Sequence, residues 1–448
     1  MKWNHFLVIL TCSGAWQACS STHGIEQLAK KELNGQENLH SAHLGICIFD
    51  PEKNNYLYNY QADKFFIPAS NTKLFSLYAG MKYLGDSLVG IRYIPMDSDI
   101  LVLAAGDPSL LHPDFPNQPV IDFLRKAKGS IYISAANWQE EGLGPGWSWD
   151  DYNDDYAQER SPLPVYGNSI RWIQVNPDNN GPDSGVQSVP YVFSIPEINW
   201  KVQYNTDTLS GHFYVKRKKD ENFFELTQGK EKSKTQDVPF VTHGIESAIE
   251  LLKDTLGKSV FPEKNHPLPE ANRALIIHSR PVDSLFRPMM YRSDNFFAEQ
   301  TLLMTGNELL GKMNDRQIID TLLKKDLAAL PQKPNWADGS GLSRYNLFTP
   351  QDFVWLLNTL KKEFGMERIK NILPTGGRGT LGSRYKQDSG YIYAKTGSLT
   401  GVIALSGYLY TRRNHLLIFS VLVNNQYSGG GAIRDETAAF LHSVREKY

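Results

Sequence analysis

Strand-like runs near both ends of the chain constrain the fold of this protein most strongly. Residues 43–66 alternate apolar and polar side chains around turn signals, a pattern typical of a β-hairpin. Three further runs lie near the C-terminus and are joined by short turns: Tyr391–Thr396, Val402–Tyr410 and Leu416–Asn424. Helical periodicity occupies other parts of the chain, around residues 73–84, 293–303, 349–364 and 432–447. We therefore predict an α/β fold in which both chain ends build one sheet.

The middle of the 448-residue chain has a different character. Residues from about 95 to 275 are rich in Pro, Asn and Asp and in short strand-like runs, which indicates inserted β-rich material. We predict three units. Residues 19–95 and 276–448 form one unit made from both chain ends. Residues 96–170 and 240–275 form a β-rich inserted domain, and residues 171–239 form a second inserted domain.

The charge balance excludes one large class of function. Lys and Arg total 47 and Asp and Glu total 48, so the formal net charge is −1. A nucleic-acid-binding protein needs a basic face or tail, and this chain has neither, so nucleic acid is not a predicted partner. We find no fixed-period repeat and no low-complexity tract, which favours an ordinary globular protein.

The N-terminal residues are typical of an exported protein. Lys2 precedes the apolar run Phe6–Leu10, which is too short to span a bilayer, and residues 1–18 are interpreted as a secretory signal. Two cleavage sites are open. Ser13 and Ala15 suit an ordinary small-x-small cut, whereas Ala18–Cys19 is similar to a lipoprotein box, so a lipid on Cys19 is the predicted membrane attachment.

The cysteine and histidine residues indicate whether the mature protein uses disulfides or a metal site. Cys47 lies in an apolar strand-like run and is expected to be a buried structural thiol, because free cysteine packs as a small hydrophobe. No pairing framework of disulfides and no zinc-type spacing is present, so the sequence predicts neither a metal nor a cofactor.

Three short motifs occur in order and carry the catalytic hypothesis. They are Ser70-Asn71-Thr72-Lys73 at a predicted helix start, Ser293-Asp294-Asn295 in a helical region, and Lys395-Thr396-Gly397 in a late strand. Each alone has a structural interpretation, as a helix cap, a solvated turn and a strand end. A second Ser-x-x-Lys, Ser383 to Lys386, is interpreted as a chance copy. Together, in this order, the three motifs indicate acyl transfer by a serine nucleophile.

The spacing of Ser70 and Lys73 suits this chemistry. Three residues apart on a helix, they share one face, so a neutral Lys73 amine can take the Ser70 proton as the hydroxyl attacks a carbonyl. Burial or a nearby cation must lower the pKa of Lys73, and Lys395 is the candidate cation. Ser70 is expected in the first helical turn, and the N–H of Ser398 would be the second oxyanion donor.

The other motif residues receive supporting roles. Ser293 is predicted to relay a proton to the leaving amine, and Asn295 to hold Lys73 and the substrate amide. Lys395, with the Thr396 and Ser398 hydroxyls beside Gly397, is predicted to bind a substrate carboxylate, which points to cleavage next to a free C-terminus.

These motifs resemble the D-alanyl-D-alanine carboxypeptidase/endopeptidase family, the class C low-molecular-mass penicillin-binding proteins. That family carries two domains inserted between its first two motifs, as the long stretch 74–292 suggests here. Four other stretches are similar to the family: 105–108, 144–151, 166–168 and 338–344. The resemblance implies a transpeptidase-type domain with an antiparallel sheet flanked by helices, and covalent inhibition by β-lactams.

The resemblance also implies a pocket for the diaminopimelyl side chain of peptidoglycan stem peptides. Arg344 would bind its carboxylate and Asp151 its ammonium, while Leu342 and Leu399 would line its aliphatic part. Asp150 is an alternative to Asp151, and Arg344 has a structural ion pair as its alternative role. The predicted activity is removal of terminal D-Ala, cleavage of cross-links, or both; the rival hypotheses are a serine β-lactamase and a non-catalytic peptidoglycan-binding scaffold.

Overall fold

The structure is a computed structural model that describes residues 24–176, 191–205, 211–263, 274–427 and 429–448. The predicted signal, residues 1–18, and the predicted lipid site, Cys19, lie outside these ranges. No helix within them has the length and apolar character needed to cross a membrane.

The central sheet joins the two ends of the chain, as the strand-like runs predicted. It contains, in chain order, β1 (His43–Asp50), β2 (Asn55–Tyr60), β14 (Ile392–Leu399), β15 (Val402–Tyr410) and β16 (Leu416–Asn424). All neighbours are antiparallel, in the order β14-β15-β16-β1-β2. The N-terminal hairpin pairs directly with the C-terminal one, since His43 lies opposite Asn424. The predicted fold class is confirmed, and β14 is an edge strand.

Alternation along the strands places helices on both faces of this sheet. Cys47 and Ala404 belong to one buried cluster, whereas their neighbours Ile46 and Ile403 belong to another. Cys47 is a free, fully buried thiol, which confirms its predicted role. The first face is covered by α1 (Lys73–Tyr83), α4 (Asp283–Tyr291), α5 (Asn295–Leu310), α6 (Asp315–Lys324), α7 (Pro350–Phe364) and α8 (Met366–Ile372), and the second by α9 (Gly431–Lys447).

The material between α1 and α4 forms further sheets. The largest, ordered β12-β5-β4-β3-β13, is built from β3 (Ser87–Met96), β4 (Asp99–Ala104), β5 (Ile131–Ser134), β12 (Val260–Pro262) and β13 (Leu275–Pro281). Two helices accompany it, α2 (Pro119–Lys126) and α3 (Glu246–Leu256).

Two small sheets follow within the same region. One has β6 (Ser169–Val175), β7 (Tyr191–Ile195) and β11 (Ser233–Pro239); the other has β8 (Lys201–Asn205), β9 (Tyr214–Arg217) and β10 (Phe223–Thr227). Side chains from these sheets, such as Trp172 and Phe224, share a buried cluster with Ile91 and Val102 of the larger sheet.

The predicted outer limits of the insertion require a correction. The limits at 95/96 and 275/276 assign nearly all of β3 and β13 to the unit made from the chain ends. The structure instead pairs β3 with β4 and with β13, so the inserted sheet begins at Ser87 and ends at Pro281. The sequence of β3 contains no local signal that shows which of the two sheets the strand joins. The division into domains itself stays a prediction.

Candidate active site

Ser70 lies in a tight turn that precedes α1. Residues Ala69–Thr72 form a 3₁₀ turn, and Lys73 begins α1. Ser70 therefore lies in the turn before the α-helix and not, as predicted, in its first turn. Ala69 has a φ of 48°, a left-handed conformation that a non-glycine residue adopts at a cost. The turn is tied to β14, because Asn71 Nδ2 donates to the Lys395 carbonyl at 3.0 Å. A strained, anchored backbone therefore presents the Ser70 hydroxyl.

Lys73 connects Ser70 with the second motif. Its fully buried Nζ lies 2.9 Å from Ser70 Oγ, 2.6 Å from Asn295 Oδ1 and 2.8 Å from the Ser340 carbonyl oxygen. A neutral amine has two N–H groups and one lone pair. If these N–H groups serve Asn295 and Ser340, the lone pair faces the Ser70 hydroxyl, which is the arrangement that a general base needs.

Burial is the main reason that Lys73 can lose its proton near neutral pH. Desolvation lowers its pKa to about 8, against the opposing charges of Asp338, Glu299 and Asp294. The pKa of Lys395 is also lowered, well below its usual value, by burial and then by the charge of Lys73. Burial, and not the predicted cation Lys395, is therefore the cause that lowers the pKa of Lys73.

Lys395 and Ser293 form the second half of the site. Lys395 Nζ is fully buried and donates to Ser293 Oγ at 2.8 Å and to the Thr396 carbonyl at 2.7 Å. Ser293 has a φ of 63°, and Asp294 caps α5 by accepting from Phe297 N at 3.0 Å. The cap sets the start of α5 and leaves Ser293 projecting from the preceding turn. The structure therefore brings the three predicted motifs together.

A protein-family model matches nearly the whole chain. The model of the D-Ala-D-Ala carboxypeptidase 3 (S13) family matches residues 26–444. The chain belongs to this family. The predicted resemblance is confirmed, and S13 membership identifies the protein as a serine peptidase.

Named relatives of this S13 protein extend over nearly its whole length. It is 23% identical to the D-alanyl-D-alanine carboxypeptidase DacB of Haemophilus influenzae, over 91% of this chain and 90% of that protein. It is 25% identical to the D-alanyl-D-alanine carboxypeptidase of Actinomadura sp. (strain R39), over 97% of this chain and 88% of that one. The crystal structure of penicillin binding protein 4 from Haemophilus influenzae shares the fold, with a TM-score of 0.70 at 18% identity, covering 94% of this chain and 98% of that one.

The loop 338–344 of the S13 protein completes the surroundings of Lys73. The Ser340 carbonyl accepts from Lys73, and its N–H donates to Glu299 Oε1 at 2.7 Å. Glu299 is buried in α5, where desolvation and then the charge of Asp338 raise its pKa to about 7, while Arg160, 3.7 Å away, opposes the shift. Glu299 thus holds the backbone N–H of Ser340, the residue whose carbonyl oxygen contacts the Lys73 amine.

No sequence motif predicted that Ser340 and Glu299 contribute to the surroundings of Lys73. A signal for Glu299 was present, since it lies four residues after Asn295 and therefore on the same face of α5, within an apolar run. Ser340 acts through its backbone, which no side-chain pattern reveals. Gly341 has a φ of +85°, and a Cβ there would lie 1.9 Å from the Ala69 carbonyl oxygen. The loop therefore packs directly against the Ser70 turn.

Asp338 organises this loop through a fully buried carboxylate. Its oxygens accept hydrogen bonds from four donors: Gly341 N at 2.7 Å, Ser343 N at 2.6 Å, Asn346 Nδ2 at 2.7 Å and Trp147 Nε1 at 3.0 Å. Trp147 belongs to the stretch 144–151, so Asp338 also joins the two loops that carry the predicted side-chain pocket.

Replacing Asp338 with alanine is expected to lower the free energy of unfolding by about 3–5 kcal/mol, because several buried donors lose their acceptor. The urea midpoint of unfolding measures this loss. Asp320→Ala, at an exposed position on α6, is the control and should change the free energy by less than about 0.5 kcal/mol. An unchanged midpoint for Asp338→Ala would contradict the organising role.

The predicted pocket residues lie on two loops and at the end of β14. Arg344 is exposed and donates to the Thr400 carbonyl at 2.7 Å, next to half-buried Leu399. The hydrogen-bond partner of Arg344 is therefore a backbone oxygen. This contact differs from the structural ion pair that was the alternative prediction for Arg344. Asp151 is half-buried at the start of the turn Asp151–Asn153, where desolvation raises its pKa.

The loop of Asp151 reaches the catalytic centre a few residues further on. The Tyr156 carbonyl accepts from Asn295 Nδ2 at 2.9 Å. The amide of Asn295 thus connects Lys73 on one side with the Asp151 loop on the other. In the described ranges, no group of three or more His, Cys, Asp or Glu residues is arranged to hold a metal ion.

Proposed function

We propose that this protein is a serine acyl-enzyme hydrolase of peptidoglycan peptides, which removes terminal D-Ala, cuts cross-links between D-Ala and diaminopimelate, or both. The observation that carries the proposal is the 2.9 Å distance between Lys73 Nζ and Ser70 Oγ in a buried site. S13 membership and the named D-alanyl-D-alanine carboxypeptidase relatives support the same reaction.

Acylation follows from the positions of the first two motifs. Lys73 takes the proton of Ser70 as Oγ attacks the carbonyl carbon of the penultimate D-Ala. The negative charge that develops on the carbonyl oxygen is met by the N–H groups of Ser70 and Ser398. Asn295 orients Lys73 and the substrate amide.

Release of the leaving group uses the second half of the site. The C–N bond breaks, and Ser293, which accepts a hydrogen bond from Lys395, gives its hydroxyl proton to the leaving amine. Ser293 regains a proton from the lysines, which hold the one taken from Ser70. Water then attacks the Ser70 ester and frees the shortened peptide. These steps need only side chains, backbone N–H groups and water. Penicillins should acylate Ser70 because they mimic the D-Ala-D-Ala dipeptide.

Substrate recognition is proposed at two places. Thr396, Gly397 and Ser398 form the edge strand along which the terminal dipeptide lies, and Gly397 permits close packing since a Cβ there would lie 2.7 Å from the Pro68 carbonyl oxygen. The diaminopimelyl side chain is held by the pocket predicted above, in which the Arg344 guanidinium binds its carboxylate bidentately. The pocket residues are Asp151, Leu342, Arg344 and Leu399.

The cell envelope is the proposed location, because peptidoglycan is found there. We assign export to residues 1–18 and retention at the membrane to a lipid on Cys19.

The test combines intact mass spectrometry with two peptide substrates. The purified protein is incubated with benzylpenicillin, with a stem peptide ending in D-Ala-D-Ala, and with a cross-linked dimer. A lasting mass increase of one penicillin, together with D-Ala release or dimer cleavage, is expected. Antibiotic consumed without a lasting adduct would identify a β-lactamase instead. Binding to sacculi with neither adduct nor hydrolysis would identify a scaffold.

A further inference from the structure

A cavity of about 320 Å³ adjoins the edge strand β14 on the side covered by α9. Thr396 and Ser398 line it from the strand, and Arg434 lines it from the first turns of α9. The cavity therefore adjoins the strand proposed to hold the terminal dipeptide. Its lining includes two arginines, Arg384 and Arg434, that belong to none of the three motifs.

The Arg434 guanidinium points at the strand. Its Nη2 donates to Ser398 Oγ at 2.9 Å. The backbone leaves room for it, since a Cβ at Gly430 would lie 3.2 Å from Arg434 Nη1 and 2.8 Å from Ile403 Cδ1. Nearby Arg384 is paired with Asp435 at 2.6 Å. In contrast, no salt bridge connects Arg434 with a carboxylate among the residues that the structure describes, so its charge is available to a ligand.

Lys395 is poorly placed to supply this charge. Its Nζ is fully buried and already donates to Ser293 Oγ and to the Thr396 carbonyl. The ammonium is thus engaged within the protein, whereas the Ser398 hydroxyl is exposed at the cavity.

The contact with Arg434 also orients the Ser398 hydroxyl. A guanidinium only donates hydrogen bonds, so Ser398 Oγ accepts from it and the hydroxyl proton points elsewhere. A carboxylate only accepts hydrogen bonds and is negatively charged, which matches both groups. We propose that Arg434, through this pairing with Ser398, is the cationic residue that recognises the free C-terminal carboxylate of the substrate. This specificity assignment rests on the proposed function.

The experiment compares an N-acetylated peptide ending in D-Ala-D-Ala with the same peptide as its C-terminal amide. Arg434→Gln should lower kcat/KM for the acid about 10–100-fold, the usual effect of losing a hydrogen bond to a charged group, and should leave the amide within about threefold. Arg434→Lys keeps the charge and should fall between the wild type and Arg434→Gln. Arg412→Gln, in the exposed β15–β16 turn, is the control and should leave both rates unchanged.

Covalent titration with benzylpenicillin counts the folded sites of each variant, so a loss of folded protein is not mistaken for a loss of recognition. If Arg434→Gln keeps the kcat/KM of the wild type for the acid, the assignment of Arg434 is overturned while the proposed function stands. Equal losses for acid and amide would also overturn it, because they indicate a role in strand position. If the wild type releases D-Ala from neither peptide and forms no adduct, the proposed function itself fails.

Discussion

Ser70→Ala is expected to abolish the covalent benzylpenicillin adduct and to lower hydrolysis of D-Ala-D-Ala peptides by at least about 10⁴-fold. The variant lacks the only atom of this side chain that can form the acyl ester. The Lys73 amine stays near its remaining acceptors, Asn295 and Ser340, so the fold should persist. Intact mass after incubation with the antibiotic and D-Ala release with time are the two measurements.

The chain offers a matched control in its second Ser-x-x-Lys pattern. Ser383 and Lys386 lie in the segment between α8 and β14, and Lys386 begins the 3₁₀ turn Lys386–Asp388. Ser383→Ala should keep both the adduct and hydrolysis at the level of the wild type. An adduct that survives in Ser70→Ala but disappears in Ser383→Ala would transfer the nucleophile to the other motif. Hydrolysis retained by Ser70→Ala would overturn the acyl-enzyme mechanism.

Lys73→Met is expected to reduce the rate constant of Ser70 acylation by about 10²–10⁴-fold, the usual contribution of a general base. The wild type should also show a characteristic pH dependence. Because only the neutral amine accepts a proton and the Lys73 pKa is about 8, the acylation rate constant should rise with pH up to about 8 and then level off. Stopped-flow acylation by benzylpenicillin across this range measures both effects.

The control for this substitution is on the same helix. Lys82 lies near the end of α1, where its Nζ contacts Tyr78 and Asp326, and Lys82→Met should keep the acylation profile of the wild type. A wild-type pH profile retained by Lys73→Met would place the base elsewhere. Lys395 would then be tested first, since its pKa is also lowered and its Nζ contacts Ser293.

Local patterns in the sequence were sufficient for the central sheet and for the three motifs. The strand-like runs Val402–Tyr410 and Leu416–Asn424 match β15 and β16 residue for residue. The spacing of Ser70 and Lys73 placed the two side chains on one face, although the backbone of Ser70 is a 3₁₀ turn. Such predictions succeed because strand and helix periods depend on neighbours only a few residues away.

The sequence was less informative where two distant segments compete for the same partner. The strand Ser87–Met96 pairs with Asp99–Ala104 and with Leu275–Pro281 in the inserted sheet, and not with the central strands. Strand pairing of this kind depends on contacts between segments that are far apart in the sequence. A limit drawn from composition therefore fell inside the sheet.

The sequence by itself determined the family and the strands of the central sheet, and it predicted the nucleophile and its partners. Only the tertiary structure decided the contacts that tune them. Burial lowers the pKa of Lys73, the backbone of Ser340 supplies an acceptor, and Arg434 reaches Ser398 from the last helix. Each of these depends on solvent exclusion or on backbone groups that approach across many residues of chain, which no short pattern of side chains encodes.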